Sequence, residues 1–596
     1  MSGGTTARSS FNFTLNRDAD RAAVDSIMER ARVGEWATRL ASRDTTLWSD
    51  DSAVQEKIAH RLGWIDAPNR FTEQIPALEA FGEKIRAAGF TTAIVAGMGG
   101  SSLAPEVLAT AFADLDDWLK VRVCDSTDPA AVRAALHGID PLRTLFIVAS
   151  KSGTTTETLS FAAHARDVVT AALAAAGRAG ESPDDYFAAI SDPSPSIDGI
   201  PHADTMRDVF LNPADIGGRY SALSYVGLVP ASLLGIDLDP LLAAASATIA
   251  AARDPEPNTN HALALGCIIA ALAREGRDKL TLVVDAPIHG LGAWVEQLVA
   301  ESTGKRGVGV VPVDGEPVGS LEAYGSDRLF VRIRLSGGNP PRCADGSDVD
   351  ARLESLAAAG HPLLEWQLDD AIDLGAEFVR WEFATAIAGA AMQINPFDEP
   401  NVTESKQNTA TVLSERVASG KAPQLGAKAE SDHLKIWVDD ALPAAFADDA
   451  MKLVAGQLQR LSTNGYVGIQ AYLAASEQRS AALTELRTLL RDATKRATTV
   501  GYGPRFLHST GQLHKGGAPI GWFLQIVAHR APDLAIPGAA YTFGDLIDAQ
   551  ALGDARSLVA HGLPVLRVDL GVDPDAGLAR LTALVRRALA GGLASA

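Results

Sequence analysis

The sequence predicts an α/β protein of two units, each a mainly parallel sheet flanked by helices on both faces. Two observations carry this. Short apolar runs alternate with stretches of helical periodicity, the pattern of strands joined by crossover helices. The alternation stops once, at Asp237 and the pair Asp239-Pro240, and then restarts. A length of 596 residues agrees, being enough for roughly two to four domains.

In chain order, residues 1–18 read as a loose tail. Residues 19–90 read as mainly helix, with Ala22, Val24, Ile27 and Ala31 as one face. The first alternating unit then has strands at 91–96, 121–124, 145–149 and 186–191. Helices fall between them at 105–112, near 130–136 and at 157–175. In the last of these, Leu159, Ala162, Ala163 and Val168 could share a face. The uncharged run 220–236 contains Ser, Gly and Pro and is too short to span a membrane, so it reads as core. After the break come strands at 280–284, 308–313 and 329–335, with a helix at 292–300 and a long one at 377–394. Strands at 434–438, 466–473, 522–527 and 565–570 close the chain. The expected domains are 1–80, an N-terminal helical segment; 81–240, the first unit; 241–530, the second; and 531–596, a C-terminal α/β segment completing the second.

Composition narrows the function. The chain is 47% hydrophobic and 21% charged, as expected of a globular protein with a sizeable core. A net charge of −20 disfavours nucleic acid and anionic membrane as partners. An anionic substrate therefore needs a pocket made locally positive by a few cations and helix ends. Cys124, Cys267 and Cys343 form no Cys-x-x-Cys pair and no ligand cluster. Neither disulfide nor metal is expected, and a reducing cytoplasm fits best. The N-terminus lacks the apolar stretch of a signal peptide.

The centre of the first unit is the loop after the 145–149 strand, with Ser150, Ser152, Thr154, Thr155, Thr156 and Thr158 around Gly153. Six hydroxyls in nine residues exceed what capping a helix needs. At a strand-to-helix junction, unpaired N–H groups, a positive dipole end and short hydroxyls suit a phosphate. A second loop, Gly97-Met98-Gly99-Gly100-Ser101-Ser102, follows the neighbouring strand. A dinucleotide fingerprint has a similar layout, but two such loops in one sheet fit a sugar phosphate better. Asp215-Ile216-Gly217-Gly218-Arg219 delivers an arginine among apolar neighbours. It could stabilise an oxyanion, or form a salt bridge to Asp215. Gln297 and Glu301 are four apart and share a helix face, so Glu301 is either a general base or a helix-end partner of Lys305. Residues 394–406, Ile-Asn-Pro-Phe-Asp-Glu-Pro-Asn-Val-Thr-Glu-Ser-Lys, form a loop restricted by two prolines. His508, His514 and Lys515 lie in a Gly-rich stretch suited to acid–base or anion chemistry.

Taken together, these phrases resemble the glucose-6-phosphate isomerase family, whose members are built from two sugar-isomerase (SIS) domains. Gly-Met-Gly-Gly-Ser, Ser-Lys-Ser-Gly-Thr-Thr-Thr-Glu-Thr, Gly-Gly-Arg-Tyr-Ser, Glu-Ser-Thr-Gly-Lys and Asn-Pro-Phe-Asp-Glu-Pro-Asn-Val-Thr-Glu-Ser-Lys occur in the family's order over residues 80–410. The C-terminal third looks most like the isomerase part of bifunctional transaldolase–isomerase proteins. The resemblance implies interconversion of glucose 6-phosphate and fructose 6-phosphate without metal or cofactor. It implies that Ser150, Ser152, Thr155 and Thr158 hold the phosphate and that Gly99 and Ser101 line the sugar. Glu301 would move the proton, Arg219 would stabilise the enediolate and Gln297 would bind the sugar. Lys406 would assist ring opening. The family's ring-opening His follows the Glu-Ser-x-Gly-Lys phrase closely, yet residues 306–335 contain none. His508 is the first substitute and His514 the second. Glu399 stands where many relatives have Gln. A homodimer is implied. Mannose 6-phosphate isomerisation, dual specificity and a non-catalytic sugar-phosphate-binding regulator are the alternatives.

Overall fold

The computed structural model describes residues 11–420, 428–439, 441–442 and 449–592. Its strands lie in three separate sheets. A short strand, β1 (Asn12–Thr14), opens the chain and belongs to the second sheet. The first sheet contains β2 (Thr92–Ala96), β3 (Lys120–Cys124), β4 (Thr144–Ala149), β5 (Phe187–Ser191) and β6 (Asp208–Leu211). They run parallel in the order β3-β2-β4-β5-β6. β4 and β5 are buried at every residue, which is why they read as unbroken apolar runs. Ala96 stands opposite Val148 at the ends of β2 and β4. The glycine loop and the hydroxyl loop therefore leave the same edge of the sheet side by side.

The second sheet adds β7 (Lys279–Val284), β8 (Val311–Val313), β9 (Arg328–Leu335) and β10 (Leu363–Leu368), in the order β1-β10-β9-β7-β8. Only β1 is antiparallel in it. The strands expected to extend this unit do not. β11 (Ala429–Ser431), β12 (Leu434–Val438), β13 (Tyr466–Ala471), β14 (Ala497–Tyr502), β15 (Gly521–Val527) and β16 (Val565–Asp569) form a third sheet, ordered β11-β12-β16-β15-β13-β14. Its central pairs are parallel, and β11 and β12 are antiparallel additions at one edge. The α/β class with helix-flanked, mainly parallel sheets holds for all three. Their cores differ. One apolar cluster runs beneath the first two sheets from Leu15 to Phe397 and takes in Ile536, Phe543 and Leu546 from the C-terminal part, while the third sheet packs mainly over its own, from Leu434 to Leu589.

The break at Asp237 is a helix start: its side chain accepts from the Asp239 amide at 3.2 Å and caps Leu238–Ala251. Helix Leu374–Met392 is buried along nearly its whole length and packs between Leu238–Ala251 and His261–Arg274. The first helix, Asp18–Val33, buries Val24, Ile27 and Ala31 as expected, but Ala22 is exposed and Asp20 is buried. Asp20 forms an ion pair with buried Arg277 at 3.0 Å, an interaction that apolar periodicity cannot show. In helix Thr156–Ala175 the buried face is Phe161, Ala165, Val169 and Leu173, with Leu159, Ala162, Ala163 and Val168 only half-buried beside it. Cys124, Cys267 and Cys343 are buried and free. Among the described residues no helix is long and apolar enough to cross a membrane, and no group of His, Cys, Asp and Glu could hold a metal ion.

Candidate active site

A cleft of about 920 Å³ opens where the first two sheets meet the third. Gly99, Ser101, Ser152, Thr155, Arg219, Gln297, Glu301, Lys406 and His508 all line it. Ser150 and Thr158 stand just behind the lining. Ser150 is tied through its Oγ to Thr155 Oγ1 at 2.8 Å, and Thr158 is buried in the first turn of helix Thr156–Ala175. Ser152 and Thr154 share a second hydroxyl contact at 2.9 Å. The loop thus presents a hydroxyl array at the N-terminus of a 20-residue helix. Lys151 turns away from that array. Its ammonium is bonded to Asp192 and donates to the Ala214 carbonyl at 3.2 Å.

The glycine loop is needed for close approach. Gly99 has φ 56°, and a Cβ there would stand 2.7 Å from both Gln297 Nε2 and the His508 carbonyl. At Gly100 it would lie 1.9 Å from the Gly218 carbonyl. Helix Gly100–Ala111 therefore brings together the arginine loop, helix Gly290–Thr303 and the His508 turn, which come from three distant parts of the chain.

Arg219 is 4% exposed and organises the floor of the cleft. Its Nε donates to Ser302 Oγ at 2.8 Å. Nη2 donates to the carbonyls of Pro396 and Asp398 at 2.7 and 2.9 Å. Nη1 donates to Glu399 Oε2 at 3.1 Å and lies 3.1 Å from Glu301 Oε1. The alternative partners weighed from sequence are thereby excluded. Asp215 pairs with Arg70 at 3.1 Å, and Lys305 pairs with Asp398 at 2.8 Å rather than with Glu301. Lys305 also donates to the Asn395 carbonyl at 2.6 Å and pins the 395–399 loop over the site. Burial, reinforced by the charge of Arg219, brings the Lys305 ammonium down to about 8.

Glu301 sits at the end of helix Gly290–Thr303, and Gln297, one turn earlier, donates to its Oε2 at 3.1 Å. The same amide donates to the His508 carbonyl at 2.8 Å. Burial, with the charge of Glu399 added, holds Glu301 above the usual carboxylate range despite Arg219. A carboxylate so placed is a stronger base than one in water.

His508 closes the opposite wall. Its Nε2 lies 3.0 Å from Glu157 Oε1. Glu157 also accepts from Gln550 Nε2 at 2.6 Å, and Gln550 Oε1 accepts from Thr127 Oγ1 at 2.6 Å. Burial pushes Glu157 up, but the field and hydrogen bond of His508 outweigh it and leave the carboxyl below its ordinary range. This chain of contacts fixes one face of the imidazole. Lys406, on helix Pro400–Ser419, is exposed at the mouth of the cleft. His514 is not brought to the cleft. It is buried among Tyr466, Phe506 and Phe523, with ring centroids at 6.2, 6.1 and 4.8 Å. Burial and neighbouring Lys515 hold it far below the usual histidine range, so it stays neutral.

Sequence reasoning missed Glu157, whose partner is 351 residues away. It also missed Lys57, His60 and Arg61, which line the cleft from the N-terminal helical segment. No local pattern marks either group, since each is defined by what folds against it.

A family model described as phosphoglucose isomerase matches residues 23–316, which include Arg219, Gln297 and Glu301 but not Lys406 or His508. The glucose-6-phosphate isomerase of Rubrobacter xylanophilus is 29% identical over 401 residues, 60% of this chain and 90% of that one. That of Thermosynechococcus vestitus is 29% identical over 357 residues, 54% of this chain and 66% of its own length. Among solved structures, a hypothetical protein of Thermus thermophilus aligns with TM-score 0.53 at 23% identity, over 68% of this chain and all of that one. A glucose-6-phosphate isomerase of Chlamydia trachomatis aligns with TM-score 0.50 at 19% identity, over 68% of this chain and 88% of the other. These two likenesses show the fold.

Proposed function

We propose that this chain, which a family model described as phosphoglucose isomerase matches over residues 23–316 and which is 29% identical to a glucose-6-phosphate isomerase over 90% of that protein, interconverts glucose 6-phosphate and fructose 6-phosphate through a cis-enediolate with Glu301 as the base. The observation that supports this most directly is the 3.1 Å contact between Glu301 and Arg219 on the floor of a cleft that also holds the hydroxyl loop. Isomerisation moves one hydrogen between C2 and C1. Glu301 takes it as a proton from one carbon and returns it to the other. Negative charge then gathers on the carbonyl oxygen, and a guanidinium already held in place offsets it without reorganisation. The phosphate, held by Ser152 and Thr155 at the helix end with Ser150 bracing Thr155 from behind and Thr158 buried out of reach, keeps the reacting carbons against Glu301.

The cyclic sugar must first open, with the C1–O5 bond of the aldose breaking as the O1 proton leaves and O5 gains one. We assign that transfer to His508, which lines the cleft with its Nε2 3.0 Å from Glu157, assisted by Lys406 at the mouth. Gly99, Ser101 and Gln297 face the sugar. No step calls on a metal or cofactor.

The test is a coupled assay of purified protein with fructose 6-phosphate and no added metal, run beside Glu301→Gln. We expect conversion by the native protein. The variant should lose it by about 10³-fold or more while binding fructose 6-phosphate with similar affinity. Near-native turnover by Glu301→Gln removes Glu301 from the role of base.

A further inference from the structure

The phosphate end of the cleft is short of usable positive charge. A sugar phosphate carries close to two negative charges at neutral pH, and this chain carries a net −20. Lys151 is the only cation in the hydroxyl loop, and Asp192 already neutralises it. The loop hydroxyls add donors without charge. Something else must offset the dianion if it is to leave water.

The N-terminal segment supplies two candidates. Helix Ser52–Ala59 ends in a turn closed by the Arg61 amide on the Ile58 carbonyl at 2.8 Å, with Ile58 and Leu62 fully buried beneath it. Leu62 then bridges to Ile216, and the Gly63 amide donates to the Asp215 carbonyl at 2.9 Å. At Gly63 a Cβ would stand 2.3 Å from the Asp215 side chain, so the two backbones are laid directly together. This places Arg61 one residue before a bridge to the segment whose Ala214 carbonyl accepts from Lys151. The charge of Arg61 is felt at Asp192, the carboxylate that Lys151 holds, though no ion pair joins Arg61 to it. Lys57 lies about one helical turn earlier, and both side chains line the cleft. Among the described residues, neither side chain has a hydrogen-bond or ion-pair partner. Their neighbours Arg43 and Arg70 are paired, with Asp66 and Asp215.

We propose that Lys57 and Arg61 form the cationic half of the phosphate site, opposite the hydroxyl loop, and that this N-terminal segment selects phosphorylated over unphosphorylated sugars. The proposal rests on the hexose-phosphate reading of the cleft and adds two binding residues to it. Charge-assisted contacts to the phosphate oxygens replace water on these side chains when substrate enters, and the hydroxyl loop sets the geometry. Partly exposed contacts of this kind are each worth a factor of about two to ten and weaken with salt.

The experiment compares native protein with Lys57→Ala/Arg61→Ala, using fructose 6-phosphate as substrate and inorganic phosphate as competing anion. KM and the phosphate inhibition constant should both rise about 10- to 50-fold in the double variant, with kcat falling less than about threefold. The dependence of kcat/KM on ionic strength should flatten, and Arg61→Lys should recover most of the loss. Because neither side chain is paired within the described fold, thermal unfolding should be unchanged. Unchanged KM and phosphate inhibition, or a fall in kcat at constant KM, would overturn the assignment. If the native protein bound phosphate through these residues but converted no sugar, the clamp would stand and the isomerase reading would fall.

Discussion

Arg219→Lys keeps the positive charge and removes the fork, which makes it a sharp probe of the site. The native guanidinium spends four hydrogen bonds on Ser302, Pro396, Asp398 and Glu399, at 2.7 to 3.1 Å, and holds its remaining Nη1 hydrogen beside Glu301. A lysine ammonium is a single point with three donors. It cannot reach Ser302 on one side and the Pro396 and Asp398 carbonyls on the other. At least two acceptors, already withdrawn from water, lose their donor, at about 1–3 kcal/mol each. The larger effect falls on the reaction. The enediolate oxygen must take over an N–H that Glu301 or Glu399 yields, and without the fork that donor is no longer aimed. Removing one such donor costs about 2.7–4 kcal/mol, or 10²- to 10³-fold in kcat. The assay is steady-state conversion of fructose 6-phosphate, with circular dichroism to confirm folding. A folded variant whose kcat stays within tenfold of native, with only KM raised, would refute the argument. Arg219 would then serve to hold the 395–399 loop and not to stabilise the transition state.

Two further predictions concern the groups around that centre. His508→Ala should slow conversion of cyclic substrate at least tenfold more than that of the open-chain sugar, as judged by pre-steady-state analysis of the two forms; equal slowing of both would assign His508 another role. Glu399→Gln should move the acid limb of the kcat/KM profile to lower pH. Glu399 is among the charges that raise Glu301, and its removal also leaves Arg219 to Glu301 alone. Both changes stabilise the ionised base, so the active form persists into more acid solution. The ionisation of the sugar phosphate is common to both profiles and cancels in their ratio. An acid limb that stays in place or moves up would show that the two carboxylates do not interact.

Most of the strands were legible because parallel strands sealed on both faces are continuous apolar runs, as in β4 and β5. Of those missed, β1, β6, β11 and β14 are short, half-exposed or polar, whereas β10, Leu-Leu-Glu-Trp-Gln-Leu, is mostly buried and has its apolar run broken by Glu365 and Gln367. In β6 the burial alternates half-buried and exposed, and β14 begins Ala-Thr-Thr, so neither announces itself by hydrophobicity. The third sheet was misplaced for a different reason. Nothing in an apolar run says which other run it will pair with.

Residue order alone was enough for the α/β class and for a glycine loop and a hydroxyl loop at neighbouring strand ends, which are local facts of periodicity and clustering. It offered Arg219, Gln297, Glu301 and Lys406 only as candidates, each with a plain structural reading beside it until the family's phrases were seen in order. Choosing between His508 and His514 needed the folded chain. Six residues apart, one faces the cleft beside Glu157 and the other is sealed among aromatic rings. Folding also added Lys57 and Arg61, and it set Glu399 against the guanidinium that Glu301 uses. The reason is physical. Burial of apolar surface chooses how sheets and helices pack, it acts between segments hundreds of residues apart, and a side chain's chemistry is finished only by the groups that packing brings against it.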